Sequence, residues 1–208
     1  MTNHPVFAYL YGRFAPAAEK AGAAAHRDEL LGGLNGRVIE VGAGSGLCFA
    51  HYPETVDEVV AVEPEPHLRG LAEKAAVAAP VPVRVLDGSG DRLPADDESF
   101  DAAVVSLVLC SVPDQRSALA ELHRVLRPGG SLRFYEHVRS ESPRRARLQD
   151  RVDRIWSHFA GGCHANRDTE TAIVKSGFRI EHCRRFDFRP VLIAAPASPH
   201  IIGEAVRL

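Results

Sequence analysis

The chain has 208 residues, 45% hydrophobic and 25% charged, which is enough for one well-buried domain and too few for two of ordinary size. Lys and Arg number 25 against 27 Asp and Glu, and the net charge of −2 excludes a global positive field for a nucleic-acid backbone. Four cysteines, Cys48, Cys110, Cys163 and Cys183, form no C-x-x-C pair, so the pattern points to reduced thiols in a cytoplasmic chain and to no metal site. The N-terminus has no basic start followed by a long apolar run, and the longest apolar stretches are of strand length.

Phe7, Leu10, Tyr11 and Phe14 recur at helical spacing before Pro16, and an Ala-rich run then leads to Leu30 and Leu31 ahead of Gly32-Gly33. This spacing predicts two helices within an N-terminal helical lid over residues 1–35. Tyr11 and Arg13 are the candidates there for ligand contact, Tyr11 with the cofactor, and Phe14 for substrate contact; the rival reading is a helix packed on the sheet.

Arg37-Val-Ile-Glu-Val-Gly-Ala-Gly-Ser-Gly-Leu47 runs an apolar strand into Gly42, Gly44 and Gly46, where a side chain would block a sharp turn and a close ligand. A dinucleotide fingerprint would need its third glycine at position 47, and that residue is Leu. The G-x-G-x-G spacing, opened by Glu40, resembles the loop with which S-adenosylmethionine (SAM) methyltransferases hold the methionyl part of their cofactor. Leu47 to His51 is expected to begin a helix whose free N–H groups face the ligand. A second strand, 58–63, ends in Glu63, 23 residues after Glu40, where a Rossmann-like fold offers a carboxylate to two ribose hydroxyls. Pro64-Glu65-Pro66 then starts a helix to about Ala78.

A third strand, Val81 to Leu86, leads into Asp87-Gly-Ser-Gly-Asp-Arg-Leu-Pro94, where Ser89, Gly90 and Asp91 stand in place to hold an adenine. The acidic run 96–101 reads as a solvated turn into a fourth strand, Ala102 to Ser106.

Ser106-Leu-Val-Leu-Cys-Ser-Val-Pro-Asp114, Leu122-His-Arg-Val-Leu-Arg-Pro-Gly-Gly130 and Tyr135-Glu-His-Val138 closely resemble the class I SAM-dependent methyltransferases, whose pattern of strand, turn and strand makes Leu126-Arg-Pro-Gly-Gly130 a turn. With Gly162-Cys163, Arg167-Asp168 and Pro199-His200-Ile201, followed by Gly203 and Ala205, the chain resembles more narrowly the methyltransferase-like thiol S-methyltransferases. The resemblance implies an α/β, Rossmann-like fold: a seven-stranded, mostly parallel sheet with an antiparallel C-terminal strand and helices on both faces. It implies SAM as methyl donor and S-adenosylhomocysteine as product. Carried over by position are Glu40, Gly42, Gly44, Gly46, Glu63, Leu107 and Val108, and the cofactor candidates also include Tyr11, Pro64, Ser89, Gly90, Asp91 and Ser106. Many class I members have Asp where Ser89 stands, so the adenine amine falls to Ser89 or Asp91. In the thiol family the ribose residue is commonly Asp, and Glu63 is one methylene longer. Animal members begin with a membrane-anchoring helix that this sequence lacks, which implies a soluble or peripheral form.

Residues 139–177 supply the expected substrate-side helices and loop. Between Arg139 and Phe159, an apolar stripe of Leu148, Val152, Ile155, Trp156 and Phe159 runs beside Arg144, Arg147, Arg151 and Arg154. The expectation is a core-facing stripe with a solvated basic flank; the alternative is a basic amphipathic helix resting on an anionic membrane. In the loop that follows, capped by Asp168 or Thr169, Cys163, His164, Asn166 and Arg167 are the candidates for substrate contact.

A thiol acceptor, with a pKa of about 8.5, attacks as thiolate, so a nearby imidazole would raise its reactive fraction. His137, His164 and His200 are the catalytic candidates, with structural hydrogen bonding as the rival role for each. Cys163 needs no chemical role of its own. Strands Arg179 to Arg185 and His200 to Val206 are expected as a terminal hairpin with an antiparallel edge strand.

The reading is methyl transfer from SAM to a small-molecule acceptor, first a thiol. The alternatives are an O-, N- or C-methyltransferase of secondary, quinone or lipid metabolism, and a non-catalytic SAM-binding regulatory or partner protein. No nucleic acid and at most peripheral membrane contact are expected of a monomer or homodimer.

Overall fold

The computed structural model describes residues 19–189 and 192–208; Tyr11, Arg13 and Phe14 lie outside the described residues. A π-helical turn, Glu19–Ala23, leads into helix α1, Ala24–Leu31. Seven strands then follow: β1 Gly36–Val41, β2 Val56–Val62, β3 Val83–Leu86, β4 Phe100–Ser106, β5 Leu126–His137, β6 Phe178–Asp187 and β7 Pro199–Arg207. Helices α2 Pro66–Ala76, α3 Gln115–Val125, α4 Pro143–Phe159 and α5 Thr169–Lys175 connect them.

The sheet order is β3-β2-β1-β4-β5-β7-β6, parallel except at β7. Strands such as β1 and β4 are apolar on both faces because both faces are covered. Ile39, Val41 and Val105 pack with Leu119, Leu122 and Ile173 of α3 and α5 on one side. Val38 and Val104 pack with Leu30, Leu31 and Ala72 of α1 and α2 on the other. Glu65 caps α2 by accepting the Leu68 N–H at 2.7 Å, with Pro66 in the first turn, where its missing N–H leaves no bond unmade. Of the two residues proposed to cap α5, Asp168 does so, accepting the Thr171 N–H at 3.2 Å.

Four expectations are corrected. The segment after the glycine turn is not an α-helix: turns at 44–48 lead into one 3-10 turn, Phe49–His51, before Tyr52, extended ahead of Pro53. Leu126-Arg-Pro-Gly-Gly130 is no free turn but the irregular start of β5, where the register against β4 shifts and Gly129 adopts φ +78°. The antiparallel strand is not at the edge, because β7 inserts between β5 and β6 and leaves β6 outermost. The apolar stripe of α4 does not face the core: Leu148, Ile155 and Phe159 are exposed, while Ala146 and Gln149 are buried. Gln149 anchors the helix by donating to the carbonyls of Val138, Ala165 and Pro196 and accepting from the Ser140 N–H. That buried amide turns the polar-and-small face inward, leaving Leu148, Ile155 and Phe159 outside and Val152 and Trp156 half-buried.

Candidate active site

The glycine turn and Glu63 form one unit. Gly42, Gly44 and Gly46 adopt φ of +71°, +58° and +80°, a region that residues with a Cβ avoid. A Cβ on Gly42 would sit 2.5 Å from Val108 Cγ2, so only glycine lets the turn close against the segment after β4. Buried Glu63, directly after β2, accepts the Gly44 N–H at 2.8 Å through Oε2 and the Glu65 N–H at 2.9 Å through Oε1. Each oxygen keeps acceptor capacity, so the carboxylate can still take a pair of hydroxyls. Burial raises its pKa, and the two backbone N–H bonds hold it down in part.

Glu40 lies wholly inside and accepts the Tyr52 hydroxyl at 2.9 Å. Burial lifts its pKa to about 7 against the pull of Tyr52, Cys48 and Arg27. Its contacts brace the turn from behind. Arg69, which sequence reasoning missed, ties the neighbouring turn together by donating to the carbonyls of Glu63 and Pro64 and to Asp87.

Past β3, the Ser89 hydroxyl donates to Asp91, and Gly90 lies against Val41, Ala118 and Val112 beside the end of β1. Of the three residues named for the adenine, Gly90 therefore borders the same strand as the glycine turn.

Beyond Ser106, which pairs with Tyr135, the chain turns at Leu107 with φ +61°, a conformation that a bulky residue holds only under constraint. The constraint comes from β5. The Leu107 N–H donates to the Tyr135 carbonyl at 2.7 Å. Fully buried Glu136 accepts the N–H groups of Val108 and Leu109 at 2.9 Å through Oε1 and of Cys110 at 3.0 Å through Oε2. Sequence reasoning missed Glu136; its signal was an acid following the apolar pair Phe134-Tyr135 near the end of a strand. Burial raises its pKa while the three bonds lower it.

The catalytic candidates separate. His137, half-buried at the end of β5, has its Nδ1 3.5 Å from Cys110 Sγ and 3.4 Å from Cys163 Sγ. Burial lowers the pKa of His137, but the charge and hydrogen bond of Cys163 outweigh it and raise it. Cys163 is held down by a hydrogen bond from Cys110 and by His137, while that bond and burial push Cys110 up. The sequence offered no paired metal motif, yet the fold gathers these three ligand-bearing side chains. His164 pairs with Asp153 at 2.8 Å and donates its N–H to the Cys110 carbonyl. His200 is buried, with Nδ1 2.8 Å from the Ser198 carbonyl, and burial lowers its pKa to about 3. Such a weak base takes no proton from a thiol at neutral pH, so His200 belongs to the aromatic stack with Tyr135 and Phe186. Asn166 and Arg167 are committed to their own chain, donating to Asp150 and to the Leu109 carbonyl, and hold the loop in place.

The glycine turn, Glu63, Leu107 to Cys110 and His137 lie at the carboxyl ends of parallel strands, where open α/β sheets bind ligands. The model for the family described as "Methyltransferase domain" matches residues 39–134. Thiol S-methyltransferase TMT1B of Rattus norvegicus is 34% identical over 178 residues, covering 82% of this chain and 70% of that protein. Thiol S-methyltransferase TMT1A of Homo sapiens is 32% identical over 185 residues, with the same coverage of 82% and 70%. A solved structure from Thermotoga maritima, described as a SAM-dependent methyltransferase and possible histamine N-methyltransferase, has a TM-score of 0.69 at 21% identity, covering 96% of this chain and 95% of that one. The chain belongs to the family of SAM-dependent methyltransferases that includes these thiol S-methyltransferases, and its methyl donor is SAM.

Proposed function

We propose that this enzyme methylates the sulfur of a small-molecule thiol. The observation that carries the reading is the extent of the likeness: the rat thiol S-methyltransferase aligns over 178 residues, far past the 39–134 core shared by methyltransferases in general. The aligned length therefore reaches beyond the cofactor half into segments that border an acceptor. The reaction is RSH plus SAM giving RSCH3, S-adenosylhomocysteine and a proton. A sulfonium methyl needs no further activation, so the main task is to hold sulfur and methyl in line.

In this reading Glu63 takes the ribose hydroxyls, the Gly42 to Gly46 turn takes the methionyl end, and Ser89, Gly90 and Asp91 border the adenine. Leu107 and Val108, locked by Glu136, close the cofactor site on the acceptor side. We place the chain in the cytoplasm as a monomer or homodimer, acting without nucleic acid. Its exposed α4 face is the part available for peripheral membrane contact. The four cysteines are free thiols, and among the described residues no helix is long and apolar enough to cross a membrane.

Incubation with methyl-labelled SAM and a panel of alkyl thiols, phenols, amines and quinols tests the acceptor. Label on thiols is expected. Label on phenols, amines or quinols alone rejects the thiol reading, and SAM binding with no turnover on any acceptor leaves a non-catalytic binding protein.

A further inference from the structure

Three segments far apart in sequence bring Cys110, His137 and Cys163 to one place, near the carboxyl ends of β4 and β5. Their ligand atoms all lie within 4.8 Å of one another. Both sulfurs approach the same atom, His137 Nδ1, at 3.5 Å and 3.4 Å. A ring nitrogen carries one proton or one lone pair and so serves one thiol at a time; Cys110 otherwise bonds Cys163 and lies 3.5 Å from the Ser111 Oγ. A shared cation satisfies all three. Tetrahedral zinc, with Zn–S of about 2.3 Å and Zn–N of about 2.0–2.1 Å, has S···N edges of about 3.5 Å. The two observed edges match that geometry before any rearrangement.

The surroundings are built to keep this set in place. Glu136 holds the Cys110 N–H, and the His164 N–H holds the Cys110 carbonyl at 2.7 Å. The Cys163 N–H donates to the Ala160 carbonyl at 3.1 Å. Such fixing of the ligand backbones is what a metal site requires of its supports. Cys110 and Cys163 are buried, and His137 keeps partial contact with solvent. Among the described residues no fourth Cys, His or carboxylate joins the group. Three protein ligands and one open position is the arrangement of a catalytic rather than a structural zinc site.

We propose that Cys110, His137 and Cys163 hold a zinc-class divalent cation whose fourth position takes the sulfur of the acceptor. The second half of this proposal rests on the thiol reading above; the first half does not. The acceptor thiol loses its proton to solvent on binding the cation, which keeps the sulfur as thiolate at neutral pH. A sulfur lone pair then forms the new C–S bond as the sulfonium C–S bond breaks, its electron pair returning to the donor sulfur. The neutral thioether leaves the cation, and S-adenosylhomocysteine is released. No oxidant or reductant enters.

The test loads the full chain with Co2+ under reducing conditions and reads its absorption. Thiolate-to-cobalt charge transfer in the near ultraviolet and intense visible bands of tetrahedral cobalt are expected. Cys110→Ser and Cys163→Ser should abolish the charge-transfer band or cut it by half or more, and Cys183→Ser should leave it intact. Because the cluster variants can misfold, the wild-type chain gives an independent reading: Zn2+ should displace cobalt, and chelation should lower the melting temperature. No cobalt bands with all thiols reduced overturns the metal site, and so does a Cys110–Cys163 disulfide that accounts for the two missing thiols. An added alkyl thiol should shift the visible bands; an unchanged spectrum overturns the open position. Label transfer confined to phenols with the cobalt bands intact removes the thiol reading and supports the metal site alone.

Discussion

The carboxylate of Glu63 accepts the N–H of Gly44 at 2.8 Å across 19 residues of sequence, so the proposed ribose acid and the glycine turn cannot move independently. Glu63→Ala therefore removes two things at once: the acceptor for the hydroxyls and the brace that shapes the turn. Hydrogen bonds to a charged group are worth about 1.5–3 kcal/mol each. Calorimetry with SAM should show affinity reduced by roughly 30-fold or more, with Glu63→Gln intermediate. Unchanged affinity in Glu63→Ala would falsify the ribose assignment.

Gly42 makes a second prediction, because two costs of adding a methyl can be separated. Gly42→Ala meets both a positive φ and the Val108 side chain, whereas Gly33→Ala meets φ +74° with nothing within 4 Å. Backbone strain alone is worth about 1–2 kcal/mol, and overpacking adds about 1–3 kcal/mol. Thermal melts should show Gly42→Ala clearly the less stable of the two, and only that variant should weaken SAM binding. Equal melting temperatures and equal affinities would show that the contact with Val108 does not matter.

Glu40 predicts a pH dependence of stability. Its pKa is raised from 4.5 to about 7, so the folded state holds the proton more tightly than the unfolded chain does. Its favourable contribution is complete below pH 4.5 and is lost as the pH rises through about 7. The shift corresponds to roughly 3 kcal/mol. Glu40→Gln, which stays neutral, should gain on the wild type between about pH 5 and 8, by a melting-temperature difference on the order of 5–10 °C. A difference between the two proteins that does not change with pH would rule this out.

Glu136 predicts a local effect. Glu136→Gln replaces one acceptor oxygen with an amide donor facing backbone N–H groups, and an unsatisfied buried donor is worth about 1–3 kcal/mol. Amide exchange at Val108, Leu109 and Cys110 should accelerate well before the rest of β4 and β5 loosens. Protection that stays level across all three amides would refute the locking role of Glu136.

The glycine turn and the acid that braces it were legible in the sequence because their geometry is local. A backbone that must turn sharply beside a strand needs glycine within a few residues, and a carboxylate at the next strand end reads by spacing; Gly42, Gly44, Gly46 and Glu63 all follow such short-range rules. The alternation of apolar strands with helical stripes located most of the elements, and the resemblance to class I methyltransferases supplied the mostly parallel seven-stranded sheet. Spacing misled where the local rule competed with a distant contact. The stripe on α4 pointed inward until the Gln149 amide, bonded to three carbonyls from separate segments, claimed that face.

The strand neighbours decided the rest. Placing β4 against β5 sets Glu136 under the N–H groups of residues 108–110, and the insertion of β7 between β5 and β6 brings His200 beside His137. The loop after α4 then carries Cys163 to the same point as Cys110 and His137. No window of sequence contains that convergence: the three residues are separated by 27 and 26 positions, and only the pairing of strands and the docking of a loop make them neighbours.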